Sequence, residues 1–325
     1  MSSGVEYSAK GLQSVCPVGV PTFDELIGGG LALTSINLIE DDWPHSYSNL
    51  LAKSFISSGI TLKQRIFIFS SSIKNQRSRF IRELPSISET SQYDPIESES
   101  MKIAFQYENL PKRFDQEIKS SKMDFGQHLS PETVDKASIV FHTPNEIVDV
   151  LKQLVIDEKS QNNSMKQKQY NRIYIDQFGS PIDCFEIDQL PSVLHRIKIL
   201  LRNLDRSVCL ISLSSLMQFN DPYLLQKSVS IRDRLYFESD FACRCSAFDD
   251  ETQNLYKNEY DGLLQLIRLP SLNSFGPYNP KLDTLEFGFK MINGKRFLHF
   301  EKLSLPPEID DQPNRFVSNC SAIKI

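Results

Sequence analysis

Val18-Gly19-Val20-Pro21-Thr22-Phe23-Asp24-Glu25-Leu26-Ile27-Gly28-Gly29-Gly30-Leu31, followed by Thr34-Ser35-Ile36-Asn37-Leu38-Ile39-Glu40, decides how the rest of the chain is read. Three consecutive glycines permit positive φ and close backbone approach, and Ile36-Asn37-Leu38-Ile39 reads as a short apolar strand. A phosphate-binding core opens this way, with a strand, a glycine-rich loop, and a helix whose first N–H groups hold phosphate. The next residues break the pattern. Set against G-x-x-x-x-G-K-[ST], the sequence puts Asp41 and Ser46 at the two glycines and Tyr47 at the lysine; only the hydroxyl position survives, as Ser48. Asp41 brings negative charge where phosphate would sit, Tyr47 offers no cation, and both glycine positions carry a Cβ that hinders an anion nest.

Outward from this stretch, strand and helix patterns alternate. Leu50, Leu51, Phe55 and Ile56 fall at helical spacing, with Gly59 where a C-cap belongs. Gln64-Arg65-Ile66-Phe67-Ile68-Phe69-Ser70 is a near-continuous apolar strand suited to a parallel sheet covered on both faces. Polar residues 71–79 lead away from it, residues 86–100 read as a surface loop or disordered insert, and residues 114–131 read as irregular. Ile103, Phe105 and Tyr107 alternate as in a strand, and Ile139-Val140-Phe141 is another. Asn145 reads as the N-cap of an amphipathic helix carrying Ile147, Val148, Leu151 and Leu154.

Asn171-Arg172-Ile173-Tyr174-Ile175-Asp176 is an apolar strand ending in a carboxylate. A P-loop ATPase places Mg²⁺ or its water beside such a residue, although buried strands also end in Asp for turn and capping reasons. A helix opening at Asp188 buries Leu190, Leu194, Ile197 and Leu201, and the strand Arg206-Ser207-Val208-Cys209-Leu210-Ile211-Ser212-Leu213 follows. Residues 214–230 read as the loop beyond that strand, and Leu235-Tyr236-Phe237-Glu238 as strand. The last third is antiparallel in character, with Asn293-Gly294 a hairpin signal because both residues tolerate positive φ. The expected architecture is therefore α/β, a central, mainly parallel sheet extended by C-terminal antiparallel strands. Residues 1–17 form a flexible lead-in, 18–307 a single domain, and 308–325 a tail.

Composition sets the outer bounds. A chain of 325 residues with 40% hydrophobic side chains buries a substantial core. Its 36 basic and 41 acidic residues give a formal net charge of -5, so contact with nucleic acid requires a local basic patch. The amino terminus lacks the basic-then-apolar pattern of a secretory signal, and no apolar run approaches bilayer-spanning length. These features point to the cytoplasm and nucleus and away from membranes. There, the six cysteines are expected to be reduced, and Cys243-x-Cys245 has no second pair at zinc-ligand spacing.

Gly19-Val20-Pro21 through Gly28-Gly29-Gly30-Leu31, the acidic loop at Asp41, Tyr47-Ser48-Asn49-Leu50-Leu51, Lys102-Ile103-Ala104-Phe105, Arg172-Ile173-Tyr174-Ile175-Asp176, and the closing Glu301-Lys302-Leu303-Ser304-Leu305-Pro306-Pro307-Glu308 together resemble the elongator complex protein 4 family. The resemblance runs in order over nearly the whole chain. It implies a RecA-like P-loop ATPase fold with a degenerate Walker A loop, assembled with elongator proteins 5 and 6 into a hetero-hexameric ring. It also implies that the ring joins a larger Elongator assembly, binds tRNA, and supports modification of the wobble uridine at carbon 5 without being the catalyst. Carried onto this sequence, Ser48 and Asp176 take the hydroxyl and Walker B positions of a degenerate nucleotide site, and any ATP would sit at ring interfaces. Lys227, Arg232 and Arg234 are the basic residues nearest the loop after Leu213 and are the RNA-contact candidates. An active RecA-like ATPase and a purely structural scaffold without RNA contact are the competing readings.

Overall fold

The computed structural model describes residues 6–7, 14–41, 47–88, 122–161, 169–180, 186–214, 222–248, 259–270, 282, 284–294 and 296–303. In chain order the elements are β1 (Glu6–Tyr7), β2 (Ser14–Cys16), α1 (Pro21–Leu26), β3 (Leu31–Ala32), β4 (Ile36–Asp41), α2 (Tyr47–Thr61), β5 (Arg65–Phe69), α3 (Ser71–Asn75), α4 (Arg77–Arg82), β6 (Pro85–Ile87), β7 (Met123–His128), α5 (Pro131–Asp135), β8 (Ile139–His142), α6 (Ile147–Gln161), β9 (Asn171–Phe178), α7 (Leu190–Leu201), β10 (Ser207–Leu213), α8 (Pro222–Glu238), β11 (Phe241–Ser246), β12 (Gly262–Arg268), β13 (Glu286–Ile292) and β14 (Phe297–Lys302).

A nine-stranded mixed sheet runs β14-β13-β12-β11-β4-β10-β9-β5-β8. From β11 to β8 every pairing is parallel, whereas β12, β13 and β14 continue the sheet antiparallel. The α/β architecture and the antiparallel extension are as the sequence pattern predicts. The parallel strands are apolar on both faces because both faces are covered. Ile39, Ile66, Ile68, Tyr174 and Leu210 pack with Leu51, Phe55 and Ile56 of α2. Ile36, Leu38, Phe67, Ile173 and Ile211 pack on the other face with α6, α7 and α8, where Leu151, Leu190, Leu194, Ile197, Leu201 and Leu235 are fully buried. Each such side chain contributes about 1.5–3 kcal/mol. Helix α2 travels from β4 towards β5, and α7 and α8 travel the opposite way along the sheet; right-handed crossovers require opposite faces for opposite directions.

The triple glycine serves the backbone. Gly28, Gly29 and Gly30 have φ of 87°, 112° and 135°, and a Cβ on Gly30 would lie 2.5 Å from the Cys16 carbonyl oxygen. This turn brings β3 back to pair with β2, so residues 14–16 of the expected flexible lead-in are built into the structure, with Val15 and Cys16 buried. Asp24 closes the motif from the other side, accepting hydrogen bonds from the backbone N–H of Val18 at 2.7 Å and Gly19 at 3.0 Å.

Several local readings are corrected. Gly59 lies inside α2, which runs on to Thr61, and its missing Cβ makes room for Arg172, whose Cδ would be 2.7 Å away. Residues 222–238 form helix α8, so Leu235-Tyr236-Phe237-Glu238 is helical; Ile231 and Leu235, four apart, face the core, and tertiary packing outweighs the β propensity of Tyr and Phe. Thr143 caps the turn before α6, in a capping box with Glu146. The stretch 71–79 contains α3 and the first half of α4, residues 85–87 form β6, and 123–128 form β7 paired with it. Residues 89–121, including the predicted Ile103 strand, lie outside the described residues. The predicted hairpin is present, with Asn293 and Gly294 at φ of 51° and 68° between β13 and β14.

Candidate functional site

In an open α/β sheet, ligands bind beyond the carboxyl ends of the strands, where successive connections leave in opposite directions. Here that place is between β4 and β10: the chain leaving β4 crosses one face through α2, and the chain leaving β10 crosses the other through α8. Residues 42–46, which carry most of the degenerate loop, lie outside the described residues. Ser48 is buried in the first turn of α2.

Tyr47, in the lysine position of the motif, is committed elsewhere. Its hydroxyl donates to the Asp261 carbonyl oxygen at 3.1 Å, and its ring meets Phe289 edge-on at 4.6 Å. The side chain that would reach for phosphate in an active loop instead pins the first turn of α2 to the antiparallel extension.

Asp176 stands one strand away from β4, near the carboxyl end of β9, on the α2 face with Tyr174. Its Oδ2 accepts from Ser70 Oγ at 2.8 Å and Ser72 Oγ at 3.3 Å; its Oδ1 accepts from Tyr174 Oη at 2.9 Å and, at 3.5 Å, Ser212 Oγ. An ionised carboxylate has about four acceptor positions, and neutral hydroxyls supply partners for them. The backbone is irregular at this point: Ile175 pairs with Ile211 and Phe178 with Leu213, so Asp176 and Gln177 together oppose Ser212. Gln177 takes a φ of 51° and donates its N–H to Ser212 Oγ at 2.9 Å. Bulges are uncommon in parallel pairs and re-aim side chains near functional sites. Ser70, Tyr174 and Ser212 were not singled out in the sequence; knowing that β5 and β10 flank β9 would have brought them in.

The RNA-contact candidates do not form one patch. Arg232 places Nη1 3.1 Å from Glu40 Oε1, and Arg244 of β11 places Nε 2.9 Å from Glu40 Oε2. Glu40 is 5% exposed, and the Arg232 Nε is buried without a hydrogen-bond partner among the described residues. Arg234, two residues along α8, is exposed, since a two-residue step turns it well round the helix. The Lys227 side chain lies outside the described residues.

Beneath the site, Arg172 occupies the same face of β9 as Tyr174 and Asp176 and is wholly buried. Its guanidinium donates to Gln64 Oε1 at 2.6 Å, the Phe55 and Pro17 carbonyl oxygens at 2.7 and 2.9 Å, and Ser58 Oγ at 3.3 Å, and lies 4.7 Å from the Phe55 ring centroid. No carboxylate lies within ion-pair distance among the described residues. Burial pushes its pKa down from the ordinary arginine value, and burial also pushes the neighbouring Cys16 thiol up. Cys16, Cys209, Cys243 and Cys245 are free and buried, and no group of three potential metal ligands occurs among the described residues. No described helix is long and apolar enough to cross a membrane.

The model of one protein family, described as PAXNEB protein, matches residues 1–323. The chain is similar to Elongator complex protein 4 of Xenopus laevis, 28% identical over 96% of this chain and 85% of that one. It is also similar to Elongator complex protein 4 of Homo sapiens, at 27% over 96% and 82% of the two chains, and of Danio rerio, at 28% over 96% and 86%.

Proposed function

The chain belongs to the PAXNEB protein family, and on that premise we propose that it is a non-catalytic, RecA-like accessory subunit of an Elongator assembly. It joins elongator proteins 5 and 6 in a hetero-hexameric ring that handles tRNA for wobble-uridine modification in cytoplasm and nucleus. One observation carries the non-catalytic part: Tyr47, where an ATPase has its phosphate-gripping lysine, is tied to Asp261 and Phe289. A phosphoryl-transfer site works by positioning and charge neutralisation, and this position contributes neither. The RecA-like part is supported by Ser48 following β4 and Asp176 standing near the carboxyl end of β9, with only β10 between the two strands.

Asp176 favours a second reading, an active nucleotide hydrolase, because it stands where a magnesium-binding carboxylate is used. Both readings are tested together. Co-expression with the two paralogous subunits, followed by mass measurement, is expected to give a complex containing all three chains. The isolated chain is expected to turn over no ATP. A stable lone monomer in the presence of both paralogues sinks the ring proposal; ATP turnover by the purified chain, abolished in Asp176→Ala, replaces it with the hydrolase.

A further inference from the structure

The chain has a net charge of -5, yet helix α4 presents a surface of the opposite sign. Arg77, Arg79 and Arg82 lie on α4. Together with Asn75, Gln76 and Ser78 they line an open hollow of about 600 Å³. The lining contains no carboxylate and no apolar side chain.

Each arginine is anchored through one part of its guanidinium, which leaves the terminal NH2 groups to point outward. Arg77 lies with its Cζ 5.0 Å from the centroid of the Phe141 ring, and the Arg82 Nε donates to the Ser78 carbonyl oxygen at 3.0 Å. Arg79 Nε donates to Glu83 at 3.0 Å, but Glu83 also accepts from Lys53 at 2.8 Å, so one negative charge is shared between two cations. The shared pair depresses the Glu83 pKa through the Lys53 hydrogen bond first and the Arg79 bond second. Positive charge is left over, on guanidinium forks whose conformational freedom is already reduced; this is the arrangement that suits two-point binding of phosphate oxygens. The surface also lies at the right place. Helix α3 starts at the carboxyl end of β5, and Ser70 and Ser72 at its start hydrogen-bond Asp176, so the arginine rim borders the candidate site.

We infer that the α3–α4 rim, through Arg77, Arg79 and Arg82, is a binding surface for the phosphodiester backbone of an RNA. The inference rests on the RNA-handling role proposed above and gives it a location other than α8. Protein interfaces centre on apolar side chains, whereas nucleic-acid interfaces are polar and strongly positive; the lining here is of the second kind. Asn, Gln and Ser are the neutral donors that accompany arginine on phosphate and sugar oxygens.

The test uses the full-length chain assembled with its ring partners and a fluorescently labelled tRNA, with affinity measured across a salt series. R77Q/R82Q is expected to weaken binding on the order of tenfold at low salt and to make the log affinity against log salt slope shallower by about 1.5, from two lost phosphate contacts. R77K/R82K is expected to keep the salt slope, because both charges remain, while losing part of the affinity with the two-point contact, and both variants are expected to give a complex of unchanged mass and melting temperature. Unchanged affinity and slope in R77Q/R82Q overturn the inference while leaving the proposed function intact. Loss of complex mass in R77Q/R82Q overturns it in favour of a protein contact. Failure of the unsubstituted complex to bind tRNA at any salt concentration removes the RNA-handling role and this surface with it.

Discussion

Replacing Arg172 with Met keeps most of the side-chain volume and removes the guanidinium from the place where α2, β9 and the segment after β2 meet. Four hydrogen bonds disappear, to Gln64, Phe55, Pro17 and Ser58. Stranding a buried acceptor costs about 1–3 kcal/mol; the Pro17 carbonyl oxygen still accepts from Ser58 Oγ at 3.3 Å, whereas Gln64 Oε1 loses its 2.6 Å donor and is left a long contact of 3.7 Å from the Cys16 thiol, so it bears most of that loss. Against this, a charge no longer has to be kept out of water, which in real proteins costs several kcal/mol per ion. The arginine is donor to four neutral acceptors and stacked on Phe55, so the balance falls on the side of destabilisation, by about 3 kcal/mol. For a chain of 325 residues that lowers the melting temperature by roughly 4–5 °C. Equilibrium urea unfolding of the full chain, with near-ultraviolet circular dichroism as the probe, measures it. Adding Gln64→Leu removes one stranded acceptor, and the double variant is expected to lose less than the sum of the single ones by at least about 1 kcal/mol. A Met variant as stable as the parent refutes the reasoning, since the guanidinium would then be a tolerated burden with no structural return.

Tyr47→Phe is expected to cost about 1 kcal/mol through the lost bond to the Asp261 carbonyl oxygen, and Tyr47→Lys about 2–3 kcal/mol because the ring contact with Phe289 goes as well; thermal unfolding distinguishes them. Asp176→Ala removes the carboxylate to which the Ser70 and Tyr174 hydroxyls donate, leaving them their longer contacts with Ser72 and Ser212 at 3.2 Å each, and is expected to destabilise the chain by about 1 kcal/mol with no nucleotide present, whereas Asp176→Asn costs less because rotatable hydroxyls can reverse donor and acceptor roles. The Asp124 carboxyl is held below the usual carboxylate range, chiefly by the Arg296 guanidinium and further by the Gly126 N–H. A depressed carboxyl pKa contributes stability above the unfolded value of about 4 and loses it as pH falls through the lower folded value. Stability curves between pH 6 and pH 2 are therefore expected to fall less steeply in Asp124→Asn; identical acid limbs would show that this pair carries no pH dependence.

The strands were legible where apolar runs were bounded by polar residues. Ile66-Phe67-Ile68-Phe69, the run ending at Asp176, and Val208 to Leu213 are buried on both faces, which leaves continuous hydrophobicity, and the shortness of each run with its β-branched and aromatic content marks it as strand. Asn293-Gly294 was legible because few residues accept positive φ in succession. Helix α8 was not, since its buried Ile231 and Leu235 are set among Ser, Arg and Asp that read as loop, and its aromatic end mimics a strand. Gly59 misled for a related reason: its role is set by Arg172, more than a hundred residues away, and local sequence carries no trace of that partner. The candidate site was half legible. Asp176 could be found from its position near a strand end, and Tyr174 lies on the same strand, but Ser70 and Ser72 come from the start of α3 after β5 and Ser212 from β10, and strand order is a property of the sheet.

Tyr47 makes a phosphate grip hard to build at this position. The tyrosine is a fastening between the parallel and antiparallel parts of one sheet, so putting lysine there would loosen that join before any anion could be held. A form with the cation present and no glycines at positions 41 and 46 would bear the structural penalty with nothing gained. Any route to nucleotide binding here therefore crosses a less stable form, and new roles are more readily found on the outer surfaces of the scaffold.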